Sequence, residues 1–93
     1  MAMNGEVKSY HIGEPVDFIT FSSQYPTNIQ QEVINYLQDT FQVTPKMLAK
    51  MWELNCGDLI GYFKKNGISV RRTYPSAADT KRLAAWYNKI PIV

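Results

Sequence analysis

Cations are the residues here whose type and spacing suggest chemistry. Residues 1–43 hold only Lys8, against Glu6, Glu14, Asp17, Glu32 and Asp39. Residues 44–93 hold Lys46, Lys50, Lys64, Lys65, Arg71, Arg72, Lys81, Arg82 and Lys89, against Glu53, Asp58 and Asp79. A formal net charge of +2 conceals this division. A partner meets one face at a time, so the distribution says more than the total. A basic half either seats a polyanion or is an ordinary solvated surface. The pairs Lys64-Lys65 and Arg71-Arg72 point to the polyanion, because adjacent cations at a helix end and on an extended arm can follow a line of phosphates. Lys46 and Lys50 lie one helical turn apart and can add phosphate contacts.

Little else in the sequence suggests reactivity. His11 is the single histidine and Cys56 the single cysteine. Neither has a partner pattern for metal binding, acid–base work or redox exchange. There is no glycine-rich phosphate loop, nucleophile triad or pair of spaced carboxylates. The chain reads as a non-enzyme without metal or cofactor. Trp52, Trp86, Tyr62 and Phe63 could stack on bases, but their helical spacing with leucines assigns them to a core. With 93 residues, 45% of them hydrophobic, the chain has room for one domain and excludes global disorder. A lone cysteine excludes a disulfide-framed scaffold. No apolar run nears the roughly 18 residues of a membrane span, and the N-terminus lacks the pattern of a signal peptide. The expectation is a soluble cytoplasmic domain.

Periodicity predicts the elements that position these cations. Residues 1–12 read as extended or loose; over 15–23, Val16, Phe18, Ile19 and Phe21 suit a strand, but the helical spacing of Phe18, Phe21 and Tyr25 favours a short helix. Residues 27–41 read as a helix opened by a Thr27/Gln30 capping box, with the stripe Ile29, Val33, Tyr36, Leu37 and Phe41. Thr44-Pro45 opens another helix, over 45–54. A third runs from about 57 to 65 and stops at Asn66-Gly67. Alternation makes 68–74 extended. Ser76 and Asp79 form a second capping signature for a helix over 77–88, with Leu83, Trp86, Tyr87 and Ile90 in a stripe. The predicted fold is mainly α: one helical domain over 27–93, made of a small trihelical core and an extra C-terminal helix, and an irregular N-terminal segment, 1–26, that is loose or packs on the core.

Pro45 to Lys64 has the layout of a helix-turn-helix. Ala49 is small where two helices must approach. Leu48, Trp52, Leu54, Leu59 and Tyr62 lie at intervals that lock such a pair. Asn55, Cys56 and Gly57 suit an abrupt turn. Over residues 44–67 the sequence resembles the helix-turn-helix families of phage and bacterial DNA-binding proteins. Glu53 departs from them, standing where these families usually carry glycine.

That resemblance implies double-stranded DNA as partner and a role as a small transcriptional regulator or phage-like accessory factor. The second helix would enter the major groove. Its outward positions would be Asn55, Cys56, Asp58, Ile60, Gly61 and Lys64. Asn55 would either hydrogen-bond adenine or cap its helix. Asp58 would accept from cytosine or serve the cap. Ile60 would touch a thymine methyl or be buried. Gly61, costing about 1 kcal/mol against alanine inside a helix, implies close approach by DNA or a neighbouring helix. Lys64, Lys65, Arg71, Arg72, Lys46 and Lys50 would bind phosphates. Two half-sites about 34 Å apart call for a homodimer, with Leu83, Trp86, Tyr87 and the tail 90–93 as its surface. The alternative is a protein-binding adaptor or inhibitor that recognises its partner through the acidic half, 1–43.

Overall fold

A computed structural model describes residues 10–89. The predicted tail stripe at 90–93 and the expectation for 1–9 lie outside the described residues. Five helices follow in order: α1 (Phe18–Gln24), α2 (Thr27–Phe41), α3 (Pro45–Met51), α4 (Cys56–Lys65) and α5 (Ala77–Asn88). The fold is mainly α, as the periodicity predicts. No described helix is long and apolar enough to cross a membrane.

Four of the five helices start where the sequence supplies a side-chain cap. Asp17 accepts from the Thr20 amide at α1, Thr44 from Met47 at α3, and Asn55 from Asp58 at α4. At α5 the full capping box forms: Ser76 accepts from the Asp79 amide and Asp79 from the Ser76 amide. The Ser76 amide also holds the Asp79 carboxyl below its ordinary 3.8. The expected box at α2 does not form. Pro26 is the N-cap, and a proline side chain has no polar atom to cap with; Thr27, the expected cap, is already the first helical residue, and Gln30 is turned inward. The Gln30 amide donates to the Tyr25 carbonyl at 2.8 Å and accepts the Tyr62 hydroxyl at 2.8 Å. At 2% exposure, Gln30 is too deep to reach back to the helix end.

One core joins all five helices. Val33, Ile34, Leu37 and Phe41 of α2 meet Leu48 and Ala49 of α3, Leu59 and Phe63 of α4, Leu83 of α5, and Trp52. Phe21 of α1 is completely buried in the same core, with its ring centroid 5.0 Å from that of Trp52. The described part of the N-terminal segment is therefore packed on the core. Both indoles fasten it: Trp52 Nε1 donates to the Val16 carbonyl at 2.9 Å and Trp86 Nε1 to the Gly13 carbonyl at 3.1 Å. Leu83 is buried, and Trp86 lies against Tyr36 and Phe41. Two members of the expected dimer stripe are thus engaged inside the monomer.

Candidate nucleic-acid interface

The corner before α4 is short and sharp. α3 ends at Met51, three residues earlier than the predicted 54. The Glu53 amide then bonds back to the Lys50 carbonyl at 3.3 Å and the Leu54 amide to Ala49 at 2.8 Å. This is a Schellman motif, which needs a left-handed residue at its turn. Glu53 supplies it with φ 56°. The glutamate takes the backbone conformation for which glycine would be the natural choice, so no extra turn residue is inserted. Four residues, Trp52 to Asn55, carry the chain from α3 into α4. α4 ends by the same device: Gly67 has φ 67°, its amide bonds to Lys64, and the Ile68 amide bonds to Phe63 at 2.9 Å.

α4 buries Leu59 and Phe63 and turns its other side outward. Gly57, Asp58, Ile60, Gly61, Lys64 and Lys65 are all exposed, while Cys56 is half-buried. Asn55 is exposed, with its side-chain oxygen taken by the cap at 3.2 Å from the Asp58 amide. Capping is therefore what Asn55 does in the free protein. Ile60 is not buried: at 37% exposure it is a large apolar group on the outer face. At Gly61 an added Cβ would meet nothing within 4 Å. Among the described residues, no neighbouring helix explains that glycine.

The segment after α4 forms neither helix nor strand, and two glutamines of α2 hold it in place of a partner strand. Gln31 donates to the Ser69 carbonyl at 2.9 Å and accepts its amide at 2.7 Å. Gln38 does the same for Arg71, at 2.8 and 2.9 Å, and also donates to the Val43 carbonyl at 3.2 Å. The Thr73 hydroxyl donates to Val43 as well, at 2.7 Å. Two amide side chains thus give the arm the backbone bonds a β-ladder would supply. Gln38 is not among the residues singled out by composition, spacing or motif. Its signal was position: with Ile34, Leu37 and Phe41 it completes a buried i, i+3, i+4, i+7 stripe, and a buried amide must find partners.

Between the arm, α4 and the start of α3 lies an open groove of about 430 Å³. Phe63, Ile68 and Val70 give it an apolar floor, and Ile60, Lys64 and Arg72 border it. Arg71 also borders it, but its guanidinium bonds to Asp39 at 2.6 Å. The two arginines of the predicted pair therefore differ, since only Arg71 is already neutralised. Among the described residues, Lys64, Lys65 and Arg72 make no ion pair. Lys46 is exposed on α3. Lys50 is not with this group, for it lines a second groove between α3 and α5, of about 350 Å³, with Met47, Met51, Leu83 and Tyr87. Arg82 is also occupied, bonding to Asp79 and the Thr40 carbonyl and lying 5.1 Å from the centre of the Phe41 ring. Of the expected phosphate contacts, Lys64 and Arg72 border one groove, and Lys65 is exposed next to Lys64 at the end of α4. Comparison with known proteins finds no family model, curated protein or solved structure that matches this chain.

Proposed function

We propose that the chain binds double-stranded DNA, with α4 entering the major groove, as a small transcriptional regulator or accessory factor. One observation carries the reading. The exposed side of α4 meets no other part of the described chain at Gly61 and is flanked by unpaired Lys64, Lys65 and Arg72. Such a helix offers short side chains to base edges and cations to the phosphates on either side. The Schellman corner at Glu53 supports the reading, because it gives the α3–α4 pair the short turn that helix-turn-helix proteins need. Within this geometry Ile60 is the residue for a thymine methyl, and Asp58 restricts which bases are accepted near the N-terminus of α4.

The test is duplex affinity measured by fluorescence anisotropy across a salt series. Contacts from Lys46, Lys64, Lys65 and Arg72 predict a log–log slope of about −3.6, at roughly −0.9 per phosphate. Replacing both Lys64 and Lys65 by alanine should flatten it by about 1.8. Absent or salt-insensitive binding would reject the DNA reading and favour a protein partner.

A further inference from the structure

The arm at 68–73 has a feature the DNA reading does not require: it is already fixed in the free protein. Gln31 and Gln38 hold the amide and carbonyl of Ser69 and Arg71, so the arm's backbone faces α2 at these two residues. Asp39 bonds the Arg71 guanidinium on the same side. Val70 and Arg72 line the groove together with Arg71 and Thr73, and Lys64 and Ile60 of α4 line it as well. The arm therefore forms a second wall, with one unpaired cation on each side and apolar surface between. A sugar–phosphate backbone has the matching chemistry, with anionic oxygens on the outside and the apolar face of deoxyribose between them. We propose that this groove seats one strand of the bound duplex. Lys64 and Arg72 contact successive phosphates, and Val70 packs on deoxyribose. Gln31 and Gln38 are positioning residues that keep Arg72 within reach. The proposal rests on the DNA reading above and specifies how its site is built.

The experiment uses the full chain, a duplex and the same salt series, with amide exchange measured in parallel. Arg72→Ala should flatten the slope by about 0.9, whereas Arg71→Ala should leave it unchanged. Gln31→Met keeps the side-chain length and removes both bonds to Ser69. Exchange at the Ser69 amide should rise, and the slope should flatten as it does in Arg72→Ala. The double variant Gln31→Met/Arg72→Ala should then lose nothing further, because both changes remove the same contact. Gln38 is too deeply buried for a clean test. Three outcomes overturn the proposal while leaving DNA binding intact: an unchanged slope in Gln31→Met despite faster exchange, additive losses in the double variant, or an unchanged slope in Arg72→Ala. A single strand bound as tightly as the duplex would also overturn it. If the unaltered chain shows no salt-dependent duplex binding, the underlying reading has failed, and the proposal fails with it.

Discussion

At the scale of single residues, Glu53 ties the corner to the sequence. A non-glycine residue in the left-handed region costs about 1 kcal/mol, because its Cβ crowds the following carbonyl. Glu53 sits there with φ 56° in a fully bonded helix stop, so the surrounding contacts hold it in place. Glu53→Gly should raise stability by about 0.5–1 kcal/mol, read as a higher urea midpoint with an unchanged slope. A fall in the midpoint would mean that the glutamate side chain stabilises the corner in a way the backbone does not reveal. The glutamines make the complementary point. Gln30 and Gln38, at 2% and 1% exposure, are buried polar groups whose bonds run to Tyr62 in one case and to Val43 and Arg71 in the other. Capping rules placed Gln30 at the helix surface because they consider only a residue's local neighbours.

At the scale of elements, α4 has the most to explain. An interior glycine lowers helix stability by about 1 kcal/mol against alanine, and no contact among the described residues offsets this at Gly61. Gly61→Ala should therefore stabilise the free protein by about 0.5–1 kcal/mol, measured by urea unfolding, while duplex affinity falls because the added methyl occupies the approach surface. A stabilised variant that binds duplex equally well would remove Gly61 from the interface. Helix positions were largely legible in advance. Thr44-Pro45, Ser76 with Asp79, and Asn66-Gly67 are local stop and start signals that act within one turn. Less legible were the end of α3, where a left-handed glutamate does the work of glycine, and the start of α1, where Asp17 caps and Val16 remains outside. The site was legible only in part. Alternation marked the arm off as non-helical, and periodicity gave the outward face of α4. Neither indicated that Arg71 would turn to Asp39 while Arg72 stayed free, since that depends on which side of the arm meets α2.

At the scale of the whole molecule, folding rearranges the charge division seen along the chain. Asp39 from the acidic half neutralises Arg71 from the basic half, and the free cations Lys64 and Arg72 remain beside one groove. The described N-terminal segment lies against the core through Phe21 and is fastened by both indoles. The second groove, between α3 and α5, has an apolar lining that includes Met47, Met51 and Tyr87. The two surfaces differ in chemistry, so a partner's location reports what kind of partner it is. The most direct test of the central claim is therefore a map of amide chemical-shift changes as a short duplex is added to the isotope-labelled chain. The account predicts changes concentrated at residues 56–65 of α4 and 68–73 of the arm, with α1 and α5 largely unaffected. Changes centred instead on Met47, Met51 and Tyr87, or on the acidic stretch around Glu14 and Asp17, would contradict it.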